Sequence, residues 1–254
     1  TEIYNYGTIN MESNGNMYGI KSAGSIQNVD NSDITMKSFG NGNVYGVHSS
    51  SKDYMGVSGN IHITNFGSGN TYAVYSTNDN RLEYITNSGS IFIHNHGNGD
   101  AYGLYGEHVR QYPGGSIKIV NYANGNAYGM YGYEVGGYHE DTNAVIDIQN
   151  LSDGDATAVH VSKGAYYNRT DIDGTININN IGHGTAIGIF AEEGSEIYNR
   201  ANINITCDSY MDEDGVLHES SSETSGTVFG IYAKAGSRIQ NNGNINILSN
   251  GVAY

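Results

Sequence analysis

A pair of apolar residues separated by one position, Ile-x-Ile or Ile-x-Met, recurs along the whole chain. Successive pairs are 25 to 30 residues apart, except for a last step of 42 residues. The nine pairs are Ile9/Met11, Ile34/Met36, Ile61/Ile63, Ile91/Ile93, Ile117/Ile119, Ile146/Ile148, Ile176/Ile178, Ile203/Ile205 and Ile245/Ile247. A period of this length is typical of repeat proteins, in which each unit buries its apolar face against its neighbours. The chain is therefore expected to fold as a stack of similar units.

Each unit holds three short apolar segments separated by turns rich in Gly and Asn. Alternation within each segment is typical of half-buried strands, and no stretch has the apolar spacing of a helix. The sequence predicts an all-β chain, a single-stranded right-handed parallel β-helix (β-solenoid) of about nine coils, with ~27 residues and three short strands per coil. We expect residues 1–254 to form one continuous β-helix segment that is uncapped at both ends, with an inserted acidic loop at 208–225.

Two columns of Asn side chains are expected inside the coils. The residue two positions after each Ile pair is most often Asn, as in Asn65, Asn95 and Asn121. A buried Asn at a corner can bond the backbone groups that the bend leaves unpaired, together with the Asn of the next coil. Cys207 stands in this column, which predicts a buried structural thiol. The second predicted column is Asn5, Asn28, Asn87, Asn168, Asn199 and Asn241.

The strand that carries the Tyr-Gly-Leu pattern is expected to have an inward and an outward column. Alternation puts Tyr102 on the same side as the apolar Leu104, so we expect the column of Tyr102 to belong to the core. The position after Leu104 turns outward. This outward column is a candidate binding surface and contains Tyr75, Tyr105, Tyr131, His160, Phe190 and Tyr232. The alternative is a cross-strand ladder that stabilises the sheet and does no more.

The segments that return to the next Ile pair vary in length and are predicted as loops, among them EHVRQYPGG from Glu107 and YEVGGYHEDTN from Tyr133. Function concentrates in such loops. Asp141 and Asp171 each stand five residues before an Ile pair, which predicts neighbouring positions on adjacent coils, with Glu140 and Asp173 nearby. A carboxylate pair at strand spacing approaches the ~5–5.5 Å separation used by retaining glycosidases. The same oxygens suit Ca²⁺. Solvated loop carboxylates are the third alternative.

The phrase NSGSIFIHNHGNGDAYGLY resembles the repeats of the β-helical passenger domains of autotransporters, which Gram-negative bacteria export by type V secretion. The likeness extends over essentially the whole chain. It implies a secreted or cell-surface location, and a chain that is one segment of a longer passenger. Such passengers include adhesins, self-associating factors and enzymes, so the resemblance implies an architecture and leaves the activity open.

The composition excludes several other classes. The 36 Gly among 254 residues follow no G-x-y period and are accompanied by one Pro, which excludes collagen, while 22 Tyr argue against disorder. One Cys excludes an internal disulfide framework and a Cys-based zinc site. No apolar run reaches the ~18 residues of a membrane span. With 11 basic and 26 acidic residues, the net charge of −15 argues against nucleic acid as a partner.

Three functional hypotheses follow. The first is a non-enzymatic β-solenoid displayed on a cell surface, which uses no cofactor and mediates adhesion or self-association. Its partners would be a glycan or protein on a host or neighbouring cell, or copies of itself, with no membrane insertion by this segment. The second is a polysaccharide-active enzyme that uses Asp141 and Asp171. The third is a fibre subunit that stacks end to end.

Overall fold

The apolar segments of the repeats form strands that stack into parallel sheets. The protein is described from a computed structural model. The structure describes residues 2–50, 53–77, 84–137, 143–162, 170–207, 210–211, 217–218, 226–249 and 252–254. Within these residues there are strands and turns but no helix, and hence no helix able to cross a membrane.

The strands that carry the Ile pairs form one nine-stranded parallel sheet, which we call the isoleucine sheet. Ile91, Ile117 and Ile146 lie directly above one another on three successive strands. The strands are Thr8–Ser13, Asp33–Ser38, Asn60–Asn65, Ser90–Asn95, Ser116–Asn121, Val145–Asn150, Thr175–Asn180, Asn202–Cys207 and Ile245–Ser249. The nine Ile pairs thus each supply one strand.

The strands with the Tyr-Gly pattern form a second face, which we call the tyrosine sheet. Its strands are Met17–Ser22, Val44–Ser49, Thr71–Ser76, Ala101–Gln111, Ala127–Gly137, Ala156–Val161, Ala186–Ala191 and Val228–Ala233. Neighbouring strands are again parallel. The equivalent residues of successive repeats therefore lie side by side on this face as well.

Short strands form a third face of the coils. They are Glu2–Asn5, Ser25–Asn28, Met55–Val57, Ile85–Asn87, Thr170–Ile172, Glu196–Asn199 and Arg238–Asn241. The long strands Ala101–Gln111 and Ala127–Gly137 continue from the tyrosine sheet into this face. The prediction of an all-β solenoid of stacked parallel coils is confirmed, and the handedness of its winding stays a prediction.

Aliphatic side chains fill the space between the sheets. The core consists of Ile, Val, Met, Leu and Ala side chains together with Cys207. Each fully buried Ile contributes roughly 1.5–3 kcal/mol of hydrophobic free energy. Burial raises the pKa of the Cys207 thiol to about 11. The thiol is therefore protonated and buried, which confirms the prediction of a structural cysteine.

Glycine is needed in most of the described turns that follow an Ile pair, because successive coils approach too closely there for a side chain. A Cβ on Gly99 would collide with the carbonyl oxygen of Gly69, and a Cβ on Gly125 would collide with that of Gly99. The column continues with Gly154, whose Cβ would meet the Gly125 oxygen. The high glycine content is thus explained in part by the spacing of the coils.

The first predicted Asn column is confirmed as a ladder of amide groups. The Asn95 Nδ2 donates to Asn121 Oδ1 at 2.9 Å and to the Gly99 carbonyl at 2.7 Å. Asn121 Nδ2 repeats the bond to Asn150 Oδ1 at 2.9 Å. These side chains are fully buried. Buried polar groups need hydrogen-bond partners, and these amides find them in the turn of their own coil and in the Asn of the next coil. The ladder therefore closes the corner and links one coil to the next.

The second predicted Asn column is confirmed over part of its length. Asn5 Nδ2 donates to Asn28 Oδ1 at 2.8 Å, and Asn199 Nδ2 donates to Asn241 Oδ1 at 2.7 Å. Asn168 lies outside the described residues. The second corner of the coil is therefore closed by the same amide chemistry as the first.

Two segments that the sequence predicted as loops begin as strand. The pairing of Ala101–Gln111 with Ala127–Gly137 continues from His108 opposite Glu134 to Gln111 opposite Gly137. The loop prediction is wrong for these residues, because the paired and fully buried Val109 and Val135 extend the core past the Tyr-Gly segment. In the insertion, the described residues form an antiparallel pair between Tyr210–Met211 and Leu217–His218.

Replacing Asn121 with Ala should lower the free energy of unfolding by about 2 kcal/mol, because Asn95 and the carbonyls of Ala123 and Gly125 would lose a buried donor or acceptor. The measurement is the urea midpoint followed by far-UV circular dichroism. Asn204→Ala is the matched control, since Asn204 bonds Asn177 at 3.0 Å on the outer face. Its expected loss is under about 0.5 kcal/mol. Equal shifts for both variants would contradict the ladder's role.

Candidate functional site

Both tyrosine columns lie on the outer face, so the predicted inward position of the Tyr102 column is wrong. Gly103 faces the core, where a Cβ would come within 2.5 Å of Ile117 Cγ2. Leu104 beside it is also fully buried. Two consecutive inward residues reverse the alternation and turn Tyr102 and Tyr105 to the same outer face. The sequence signal is the small residue at this position in the other strands: Gly19, Gly46, Ala73, Gly129, Ala158, Gly188 and Gly230.

The first aromatic ladder consists of Tyr18, Tyr45, Tyr72, Tyr102 and Tyr128. Successive ring centroids are 4.8 to 5.1 Å apart, and the ring planes are within 9° of parallel. Burial raises the pKa of Tyr102, and it raises the pKa of Tyr128 to about 12. The Tyr102 hydroxyl donates to Asp100 Oδ2 at 3.1 Å. These phenols therefore stay protonated at neutral pH.

The second aromatic ladder consists of His48 and the six residues of the predicted outward column, Tyr75, Tyr105, Tyr131, His160, Phe190 and Tyr232. Centroid distances range from 4.3 to 5.4 Å. The two ladders meet edge to face, as in the contact between Tyr102 and Tyr105 at 5.3 Å and 84°. The structure brings the predicted column together, and the binding role of the column stays a prediction.

Stacking decides which part of each ring a partner can reach. Tyr105 has Tyr75 on one side and Tyr131 on the other, with centroids 5.1 Å away in both directions. No further ring fits between them, so a sugar cannot lie flat on an interior ring of the ladder. The ladder instead presents ring edges and phenol hydroxyls. This geometry supports the stabilising role that the sequence left open, because stacked aromatic pairs contribute roughly 0.5–1.5 kcal/mol each.

A groove of about 230 Å³ runs along the second ladder. Tyr75, Tyr105 and Tyr131 form its near wall. Gly106 and Gly132 lie at adjacent positions of the next column and line its floor. A side chain at either glycine would be obstructed, since a Cβ on Gly132 would meet the Gly106 carbonyl oxygen. At both positions the Cβ would point toward buried core side chains, so this column faces inward and its backbone forms the floor of the groove.

The far wall of the groove is formed by the next column, which contains Thr77, Glu107, Tyr133 and Ser162. Thr77 and Glu107 are exposed, and Tyr133 and Ser162 are half-buried. Sequence reasoning missed this wall, because Glu107 and Tyr133 fall in segments that were predicted as loops. The signal that would have found it is the shared G-x-x-V pattern in GEHVRQ and GYEVGG, which repeats at the coil spacing.

A buried ionic cluster lies behind the far wall. Glu134, 7% exposed, accepts a hydrogen bond from the Tyr84 hydroxyl at 3.3 Å and from Arg110 Nη2 at 3.4 Å. His108 Nδ1 lies 3.2 Å from the other carboxylate oxygen. The Arg110 guanidinium stacks 3.4 Å from the centroid of the Tyr84 ring. Since each charge has a partner, the cluster is a rigid support for the wall.

The predicted acidic site is described in part. Asp173 accepts two bonds from Arg200, at 2.7 Å from Nε and 3.1 Å from Nη2, and Asp171 lies 3.7 Å from the same guanidinium. Glu140 and Asp141 lie outside the described residues, so the pairing of Asp141 with Asp171 stays a prediction. The backbone of Asp171 packs against Gly136 of the preceding coil. The Arg200 bonds hold Asp173 in an ion pair.

The described residues contain no group of three or more His, Cys, Asp or Glu side chains that could hold a metal ion. No protein-family model, curated protein or solved structure matches the chain. The stacked parallel coils agree with the architecture expected of a β-helical passenger domain. Membership of that family stays a prediction.

His160 interrupts the second ladder with a titratable ring. It stacks on Tyr131 at 4.3 Å and contacts Phe190 in a tilted arrangement at 4.6 Å and 42°. Burial lowers the pKa of His160 to about 4, although Glu192, 3.7 Å away, favours the charged form. Lys234 further lowers this pKa. The imidazole is therefore neutral at physiological pH and packs as an aromatic ring.

His160 should titrate near pH 4 in a histidine NMR titration. Because its folded pKa lies below the ordinary 6.5, the unfolded chain binds more protons between pH 6.5 and 4, and stability should fall as the pH falls through this window. The full loss is roughly 3 kcal/mol. His160→Phe keeps the stack and should remove this part of the pH dependence. A titration midpoint near 6.5, or an identical pH profile for the variant, would contradict the burial of this ring.

Proposed function

We propose that the protein is a non-enzymatic β-solenoid displayed on a cell surface, which mediates adhesion or self-association through the outer face of the tyrosine sheet. The observation that carries the proposal is the groove beside the second ladder, which runs across several coils. Loops and edges of a rigid scaffold are where binding surfaces concentrate. A groove of this shape suits an extended partner that contacts several repeats in turn.

The chemistry of the groove supports binding over catalysis. Burial raises the pKa of Tyr75, Tyr105 and Tyr131, which keeps their hydroxyls protonated as hydrogen-bonding groups and makes them poor nucleophiles. Glu107 is the one carboxylate in the described lining. Glycoside hydrolysis requires a pair of carboxyl groups. The lining of this groove therefore favours recognition of a ligand.

The resemblance to autotransporter passengers supports the proposal that the protein lies outside a Gram-negative cell. The buried, protonated Cys207 is compatible with an oxidising exterior. The partner is a glycan or protein on a host or neighbouring cell, or another copy of this chain. The net charge of −15 keeps the protein soluble there and disfavours polyanionic partners.

Filling the groove should abolish adhesion without disturbing the fold. In Ser162→Trp the new indole would lie beside Tyr133 and occupy the groove, and we expect adhesion of protein-coated beads to cells, or bead self-aggregation, to fall at least about tenfold. Self-association of the soluble chain is followed in parallel by sedimentation velocity. Far-UV circular dichroism checks that the fold is kept.

Ser50→Trp is the matched control. Like Ser162, Ser50 directly follows a strand of the tyrosine sheet, and its N–H bonds the preceding coil, at Ser22 O. It lies outside the groove lining. We expect unchanged adhesion for this variant. Unchanged adhesion for Ser162→Trp would refute the proposed role of the groove.

A further inference from the structure

Tyr133 differs from the other tyrosines of the groove because its ring is not part of a stack with any residue that the structure describes. The equivalent positions on the two neighbouring coils carry Glu107 and Ser162. Within the described part of the chain its ring meets one other ring, that of His108, edge to face at 6.1 Å and 67°. The ring lines the groove and is half-buried. Tyr133 therefore offers a ring face where the ladder offers edges.

The ring of Tyr133 is supported by His108 and by the residues that bind His108. His108, which contacts the edge of the ring, is 5% exposed and is itself bound to Glu134. Glu134 also accepts hydrogen bonds from Tyr84 and Arg110. The ring thus rests on a cluster whose members are fixed by one another. Such support lowers the entropy that a ligand must overcome when it binds.

The polar groups of the groove select the charge of the ligand. Its described lining contains one carboxylate, that of Glu107, and no Lys or Arg. Hydroxyls are supplied by Thr77 and Ser162, beside the phenols of the ladder. An anionic ligand would be repelled by Glu107, whereas a ligand rich in hydroxyl groups can donate to it and exchange hydrogen bonds with the rest.

An extended polypeptide fits this groove less well than a sugar chain. Polypeptides bind to sheets by adding a strand to an open edge. Here the backbone of the floor is already paired, since Gly106 lies opposite Gly132 in the parallel sheet and Ser162 N donates to the Gly132 carbonyl at 2.7 Å. The groove crosses about four coils, so its length is roughly 14 Å at the spacing of parallel strands. A partner must therefore be recognised through side chains.

We propose that the groove binds an uncharged carbohydrate chain, with one sugar ring stacked on Tyr133 and its hydroxyls bonded to Glu107 and to the phenols of the second ladder. This inference rests on the proposed function and names the ligand class of the same groove. A shallow groove of about 230 Å³ holds each segment weakly, with a Kd of ~1 mM. Strong adhesion then arises from many chains acting together.

The test measures binding of neutral hexasaccharides to the purified chain. Cellohexaose, maltohexaose, mannohexaose and N-acetylchitohexaose are titrated and followed by saturation-transfer NMR and calorimetry, with heparin as the polyanionic comparator. We expect at least one neutral hexasaccharide to bind and to inhibit bead adhesion, and heparin not to bind. Tyr133→Ala should weaken this binding about tenfold, whereas Tyr133→Phe should stay within about threefold.

Tyr198→Ala is the control for loss of a half-buried tyrosine, because Tyr198 lies on the third face and donates to Glu196 at 3.0 Å. It should bind as the unchanged chain does. No binding of any neutral hexasaccharide up to ~10 mM, binding of heparin alone, or full binding by Tyr133→Ala overturns the carbohydrate inference. If Ser162→Trp still abolishes adhesion in that case, the groove binds another partner and the proposed function stands. If Ser162→Trp adheres normally, the proposed function fails as well.

Discussion

The structure depends on one constraint, the spacing of about 4.8 Å between stacked parallel strands. At this spacing equivalent residues of successive coils touch, so each column must consist of side chains that tolerate contact with their own kind. Isoleucine meets isoleucine in the core, and Asn95 bonds Asn121 at the corner. Where the backbones come closest, as at Gly99 above Gly69, no side chain fits. The repetitive composition is the direct result.

The same constraint shapes the outer surface. A tyrosine above a tyrosine stacks at about 5 Å, and two such columns side by side lock edge to face. Stacking stabilises the sheet but covers the ring faces that a ligand would use. Beside the ladder, the backbone of the inward-facing Gly106 and Gly132 forms the floor of a groove. The proposed recognition therefore depends on the groove beside the ladder and not on the faces of the stacked rings.

Much of the fold can be predicted from the sequence, because the repeat period of the Ile pairs and the alternation of apolar and polar residues can be read directly from it. The Ile pairs, the first Asn column and the buried Cys207 lie where the pattern predicts. The Tyr102 column could not be placed by alternation alone, since the core accepts Gly103 and Leu104 in succession and the strand bends there. The ionic cluster around Glu134 was missed because its members come from separate coils, and charge in a variable segment is typical of a solvated loop.

A perfectly regular solenoid would offer the same surface on every coil and could discriminate little between partners. Specificity requires positions where the columns are broken. The second ladder is interrupted by His160, and the column beside it changes from Glu107 to Tyr133 to Ser162 within three coils. Within the described residues, the ring of Tyr133 contacts one other ring, that of His108, edge to face, and belongs to no stack. The position that contributes least to the regular stack is for this reason the one best placed to contact a ligand.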